Sequence, residues 1–242
     1  MKDHEDAFGH ALLDCYLGEK AQIIIERDDG NLDVSGEPEI YFREFDQWEE
    51  YDRRAMAHVS GRALDIGSGA GRHALYLQGK GHVVVALDNS PLAIEVMKRR
   101  GIREVALMPA TKISSKLGVF DSIIMMGNNF GLVANKRRAK WLFRRFYSIS
   151  NSEAKIIATS LNPQTTTDPL HLAYHERNRQ RGRMPGQVRI RVRYRNYIGL
   201  WFDYLLASLE EMKSLIRGTG WYVSEVIESE GPIYVAIMAK QT

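Results

Sequence analysis

Two periodicities alternate through the middle of the chain. Strand-length stretches at Ala63–Ile66, Val83–Leu87, Glu104–Met108, Phe120–Met126 and Lys155–Leu161 are separated by segments whose apolar residues recur every three or four positions. Val83–Leu87 is unbroken and apolar, as suits a parallel strand covered on both faces. Arg72–Gln78 reads as a helix closed by Gly79 and Gly81. Ser90-Pro91 opens another, with Ser as N-cap and Pro at the first position, and Gly101 ends it. Leu92, Ala93, Val96 and Met97 form its buried stripe, and Ala139, Leu142, Phe143, Phe146 and Ile149 make one face of the next helix. This alternation predicts a parallel, doubly wound α/β sheet.

The flanks read differently. Residues 5–18 suit a short helix, and Gln22–Glu26 and Leu32–Val34 a hairpin about Asp28-Asp29-Gly30-Asn31. Phe42, Phe45, Trp48 and Tyr51 fall at helical spacing within Tyr41–Val59. They predict a helix packing its aromatic face on the sheet, or alternatively Tyr41 to Arg43 lying over a bound ligand. After Leu161 the rhythm breaks: residues 162–185 are polar, with a helix near Leu170–Arg179, then a strand at Gln187–Tyr197 and a returning partner within Tyr197–Ser208. Ser208 and Glu211 form a capping box ahead of Met212, Leu215 and Ile216. Trp221–Ile227 and Ile233–Ala239 then flank a Ser229-Glu230-Gly231-Pro232 turn as a closing hairpin. The expected organisation is one domain with an N-terminal cap (1–59), a ligand-binding core (60–161), a β-rich lid or substrate insertion after the fifth strand (162–207) and a C-terminal helix and hairpin (208–242).

Composition narrows the class without choosing a function. At 242 residues and 44% hydrophobic the chain can bury a full core unaided, and Cys15, its one cysteine, excludes an intrachain disulfide or thiolate cluster. The start, MKDHEDAFGH, is unlike a secretory leader, and no apolar run approaches the ~20 residues of a membrane helix. A cytoplasmic protein with no membrane partner is expected. The net charge of +3 says little, but its distribution is uneven. Arg177, Arg179, Arg181 and Arg183 precede Arg189, Arg191, Arg193 and Arg195, which alternate with Val188, Ile190, Val192 and Tyr194. One strand face is therefore basic and the other apolar. Arg137, Arg138, Lys140, Arg144 and Arg145 add a basic helix surface. The strand's arginines suit a phosphorylated or carboxylated substrate, an RNA backbone, or a solvated or oligomer-forming face paired with acids such as Glu210 and Glu211.

The chemistry is concentrated in Ala63-Leu-Asp65-Ile-Gly67-Ser68-Gly69-Ala-Gly71-Arg72, where the first core strand turns into the first helix. Glycines there let a ligand approach the backbone closely. A dinucleotide turn wants G-x-G-x-x-G, and Arg72 stands where its third glycine belongs. The glycines fall instead as G-x-G-x-G, with Asp65 two residues ahead. That carboxylate would repel a pyrophosphate and suits a ligand bearing an ammonium group. Asp88, at the end of the second core strand, can accept hydrogen bonds from both hydroxyls of a ribose.

This pattern, with A-L-D-N-S around Asp88 and F-D-S-I-I-M-M-G-N-N later, resembles the class I S-adenosylmethionine-dependent methyltransferases over about residues 60–160. The resemblance implies a Rossmann-like, seven-stranded sheet with an antiparallel last strand, and S-adenosylmethionine as cofactor, leaving S-adenosylhomocysteine. Asp65, Gly67, Ser68, Gly69 and Gly71 would hold its methionine end, Asp88 its ribose, and Asn89 would lie beside the adenine. Many members read the adenine amino group with an acid after the third strand; here that place holds Pro109-Ala110-Thr111, so backbone groups at Ala110 or the Thr111 hydroxyl would serve. Gly127 and Asn128 follow the fourth strand beside the expected transfer site, with Asn129 as a substrate contact, although a turn satisfying its own backbone accounts for them equally.

Methyl transfer from a sulfonium is an in-line displacement in which placing the nucleophile supplies much of the rate, so a conspicuous catalytic residue is not expected. His171, Tyr174, His175 and Glu176 in the insertion suit bases or substrate contacts. A metal at His171 and His175 lacks a third ligand in sequence, and surface histidines in a lid fit better. Arg191 is a further substrate candidate. The fourth-strand motif lacks the proline-containing type used on base amines, which favours a small-molecule acceptor with an N or O nucleophile. An RNA methyltransferase using the arginine-rich insertion, a non-catalytic S-adenosylmethionine-binding protein and a nicotinamide-dependent oxidoreductase are the rival readings. Whether the protein is a monomer or a homo-oligomer is left open.

Overall fold

The computed structural model describes residues 1–241, and its elements change where the apolar periodicity changes. The chain opens with helix α1 (Ala7–Tyr16), strands β1 (Ile23–Arg27) and β2 (Leu32–Gly36) and helix α2 (Glu50–Met56). The core alternates as β3 (Arg62–Ile66), α3 (Arg72–Gly79), β4 (Val83–Asp88), α4 (Pro91–Arg99), β5 (Glu104–Leu107), β6 (Phe120–Met125), α5 (Lys136–Ser148) and β7 (Ser150–Leu161). Helix α6 (Pro169–Gln180) and strands β8 (Gln187–Tyr194), β9 (Tyr197–Ile198) and β10 (Phe202–Leu205) follow. Helix α7 (Leu209–Ile216) and the hairpin β11 (Trp221–Glu228) and β12 (Ile233–Lys240) complete it.

Among the described residues, one sheet has seven strands in the order β11-β12-β7-β6-β3-β4-β5. Pairs β3–β4, β4–β5 and β6–β7 are parallel, whereas β12 runs antiparallel to both β7 and β11. This is the Rossmann-like, doubly wound α/β arrangement expected, with the last strand reversed. The chain divides into two compact units, each assembled from separate segments. Met1–Glu49, Ser60–Ile113 and Arg189–Phe202 form the first; Glu50–Val59, Ser114–Val188 and the chain from Asp203 onward form the second.

In the first unit, Ala63, Leu64, Ile66 and Val84 to Leu87 are buried along β3 and β4. Helix α4 keeps its predicted cap: the Ser90 hydroxyl oxygen accepts from the Ala93 N–H at 2.9 Å, with Pro91 at the first turn. Helix α1 packs through Leu12 against Ala70, Ala93 and Val96. A second sheet runs in the order β10-β8-β1-β2, with β9 on β8. Strand β1 therefore meets not only its hairpin partner but β8, antiparallel, with Ile24 opposite Arg193 and Glu26 opposite Arg191. Cap and insertion, read separately from sequence, share one sheet.

The segment expected as a helix over Tyr41–Val59 is different. Two short 3₁₀ turns, Pro38–Phe42 and Phe45–Gln47, precede an α-helix confined to Glu50–Met56. The spacing of three that joins Phe42, Phe45 and Trp48 is equally the repeat of a 3₁₀ helix. Extended backbone at Glu44 and Trp48 breaks any continuous α-helix. The aromatic rings pack on α3 instead: Phe45 stacks on Tyr76 with centroids 4.2 Å apart, and Trp48 meets His73 edge-on at 4.8 Å. Tyr41 sits edge-on to Phe8 at 5.4 Å and joins the cluster around Leu12 and Ala70.

In the second unit, α5 buries Ala139, Leu142, Phe143 and Phe146 and leaves its cationic face outward. Trp221 is fully buried and donates its indole N–H to the Phe143 carbonyl at 3.0 Å, so its polar atom is satisfied within the core. Each such ring contributes about 1.5–3 kcal/mol on burial.

Candidate cofactor and acceptor sites

The glycine loop leaves β3 with its amides turned inward. The N–H groups of Gly67 and Ser68 both donate to the Leu87 carbonyl, at 2.8 and 3.1 Å, and that of Gly71 to the Ser68 carbonyl at 2.8 Å. Gly69 donates to Asp88 Oδ2 at 2.9 Å. All three glycines have positive φ, between 56° and 77°. Gly71 is required for packing as much as for conformation, since a Cβ there would lie 2.2 Å from Ile102 Cδ1. Gly69 by contrast faces Phe8 and Leu12 of α1 at ordinary contact distance.

Asp65 lies under this loop, 2% exposed, and its Oδ2 has no hydrogen-bond partner. Burial, reinforced by the charge of Asp88, pushes its carboxyl up to about 7 against the opposing influence of Ser68 and Arg72. An unsatisfied buried acceptor of this kind is held only where something else repays its desolvation. Four of the loop's amides are committed internally, and the carboxylate beneath them carries an unsatisfied acceptor. The loop fits a cation, and it is a poor cradle for a pyrophosphate.

Asp88 is 7% exposed, and burial raises its carboxyl against the bonds from Ser90, Gly69 and Asn89. Its Oδ1 accepts from the Ser90 N–H at 3.0 Å. Asp6, which sequence reading passed over, anchors the surroundings: its Oδ2 accepts from the Ser90 hydroxyl at 2.8 Å and the Leu92 N–H at 3.1 Å, and its Oδ1 from the Gly9 N–H. An aspartate at the start of a helix announces an N-cap, but nothing in the sequence says that it also reaches residues 84 to 86 positions away. Asn89 and Thr111 are exposed, and Ala110 opens a 3₁₀ turn after β5. His73, buried at the start of α3, is held neutral by burial and the neighbouring Arg72 charge, and its Nε2 also lacks a partner.

In the second unit, Gly127 and Asn128 follow β6 with φ of 63° and 65°. The Asn128 carbonyl accepts from the Gly131 N–H at 2.9 Å and from the Tyr204 hydroxyl, while its side-chain Oδ1 is buried without a partner. Tyr204 packs its ring over Gly131, where a Cβ would come within 2.3 Å. Asn129 begins the next 3₁₀ turn. On α6, Tyr174 and His175 are 2% and 6% exposed, so His175 is not the surface histidine expected. His171 lies 3.5 Å from the Thr166 hydroxyl. Buried Asn178, one turn on, donates to the carbonyls of Pro185 and Gln187, turning that face of α6 into structural support.

The arginine strand is occupied. Arg191 forms a bidentate pair with Glu26 at 2.8 and 3.0 Å and lies over Trp201; Arg193 shares the same carboxylate. Arg195, strained at φ 49°, pairs with Asp14 at 2.8 Å and Glu19 at 2.6 Å. The acids come from the N-terminal segment, not from Glu210 and Glu211, which serve Lys213 and the cap of α7. Arg191 is thus committed structurally and is not free to take a substrate carboxylate or phosphate.

Residues 63–151 match the model of a methyltransferase domain. No curated protein matches the chain. Among solved structures, a methyltransferase from Bacteroides fragilis in complex with S-adenosyl-L-homocysteine is 24% identical, covers all of this chain and 98% of its own, and superposes with a TM-score of 0.84. The CcbJ methyltransferase of Streptomyces caelestis (12% identity, TM-score 0.61) covers 82% of this chain and 95% of its own. A sugar N-methyltransferase from Streptoalloteichus (13% identity, TM-score 0.58) covers 88% and 98%. A methyltransferase domain over residues 63–151 and a seven-stranded sheet with a reversed last strand give the chain the fold of the class I S-adenosylmethionine-dependent methyltransferases.

Proposed function

We propose that the protein transfers a methyl group from S-adenosylmethionine to a nitrogen or oxygen of a small-molecule acceptor. The observation that carries the cofactor reading is the unpartnered, buried Oδ2 of Asp65 beneath a loop with four inward-turned amides. An ammonium is the group such a site lacks. Asp65, Gly67, Ser68 and Gly69 hold the methionine end, with Gly71 setting the loop's packing. Asp88 takes the ribose hydroxyls, and Asn89, Ala110 and Thr111 border the adenine. The cofactor, when bound, supplies a methyl already activated on a sulfonium. What remains for the chain is to orient an acceptor and exclude water. Gly127, Asn128 and Asn129, at the carboxyl end of a parallel strand where open α/β sheets bind ligands, suit that task. His171, Tyr174 and His175 are secondary candidates, since two of the three are buried. The sugar N-methyltransferase among the structural neighbours supports a small acceptor, and the internal pairing of the strand arginines weighs against an RNA acceptor held there.

Calorimetric titration with S-adenosylmethionine, S-adenosylhomocysteine and NAD tests this reading. Saturable binding of the adenosyl ligands alone is expected, weakened at least tenfold in Asp88→Asn while the melting transition persists. Binding of NAD instead would overturn the reading of the glycine loop.

A further inference from the structure

Helix α5 has the sequence KRRAKWLFRRFYS, with six cationic residues and no acidic one. Without it, the chain has three more acidic than basic residues, so its positive charge is a local feature. Among the described residues, none of Lys136, Arg137, Arg138, Lys140, Arg144 and Arg145 forms an ion pair, in contrast to the strand arginines. Arg137, Trp141, Arg144 and Ser148 follow one another at helical spacing along the outer face, and with Lys140 and Arg145 they line a depression of about 450 Å³. Trp141 is 42% exposed in its midst, with the Arg145 guanidinium 5.8 Å from its ring centroid.

We propose that this face of α5 is a docking surface for single-stranded RNA. Unpaired guanidinium groups recognise phosphate oxygens bidentately, and several along one helix track a phosphate backbone with release of counterions. A flat exposed indole between them offers a stacking platform for a base, a combination that binds single strands without reading their sequence. A lipid surface fits less well. A helix that lies in a membrane needs its apolar face free, and that of α5 is buried in the core. An acidic peptide would satisfy the cations but has no use for the indole. The surface lies outside the residues assigned to the cofactor and the acceptor, and its occupation does not depend on what is methylated.

The test is fluorescence anisotropy with a fluorescein-labelled, 20-nucleotide mixed-sequence RNA, with vesicles containing phosphatidylserine and poly-glutamate as competitors. Binding is expected to weaken with salt at a log–log slope of about −3, for four or five phosphates engaged. Trp141→Ala should reduce affinity at least about fivefold. Arg137→Glu combined with Arg144→Glu should reduce it more than tenfold, and S-adenosylhomocysteine affinity and melting temperature should be unchanged in both variants. The proposal is overturned by no binding at 50 mM salt, by equal affinity in the variants, or by stronger competition from vesicles or poly-glutamate than from unlabelled RNA.

Discussion

The buried Asp65 carboxyl makes cofactor affinity a function of pH in a way that can be worked out beforehand. In the free protein it titrates near 7. An ammonium placed against it would return it to the ionised form and draw the proton off on binding. Affinity then follows the ionised fraction of the free protein, which is about three-quarters at pH 7.5 and about 3% at pH 5.5 for the titration near 7. The ligand's own α-amino group begins to lose its proton near pH 8 and trims the upper end. S-adenosylhomocysteine should therefore bind about 20-fold more weakly at pH 5.5 than at 7.5, a difference of roughly 2 kcal/mol. Calorimetry at pH 7 in buffers of different ionisation enthalpy should register release of about half a proton per site. Asp65→Asn should bind weakly and lose most of the pH dependence. An affinity that changes less than about threefold across this range, or a slope that survives in Asp65→Asn, would refute the pairing of Asp65 with an ammonium.

The same carboxyl burdens the fold. Because its folded pKa is raised above the ordinary 3.8, its penalty is fully present above pH 7, shrinks on acidification and disappears below the unfolded value. A shift of this size corresponds to an upper limit of about 4 kcal/mol, so Asp65→Asn should melt at higher temperature than wild type at pH 8, with the gap more than halved at pH 5. Gly71→Ala, with φ 77° and a Cβ 2.2 Å from Ile102, should lose about 1–3 kcal/mol in urea unfolding, whereas Gly30→Ala, strained in φ but open around it, should lose less. Tyr204→Phe removes the donor to the Asn128 carbonyl and should cost about 1 kcal/mol in the same assay, so unchanged stability would mean that bond is dispensable.

The alternating core was legible because Val83–Leu87 is a continuous apolar run, the other core strands are short stretches bounded by turn residues, and α4 carries its own cap and stop. Ser90 caps α4, Ser208 and Glu211 form their box, and β12 reverses as the Gly231-Pro232 turn indicated. What sequence could not convey was contact between distant segments. Glu26 answers Arg191 across 165 positions, and a polar alternation on β8 looks the same whether its partner is solvent, phosphate or another strand. The aromatic spacing from Phe42 to Trp48 misled because α and 3₁₀ turns share an interval of three. The chemistry of the glycine loop was visible in Asp65 and the displaced third glycine, but that the amides turn inward depends on Leu87 and Asp88 lying on the adjacent strand.

The pairing of β1 with β8 also orders events during synthesis. Strand β1 emerges from the ribosome well before its partner at 190–193, which follows some 165 residues later. At about 5–20 residues per second, the amino-terminal hairpin would wait roughly ten to thirty seconds with one edge unpaired. With Ile23, Ile24 and Ile25 in succession and no proline within the strand, that edge is a template for unwanted strands in the interval. Nascent chains stalled before residue 187 should accordingly depend on chaperones more than full-length protein does. Moving the first 49 residues behind the last strand by circular permutation would shorten the wait.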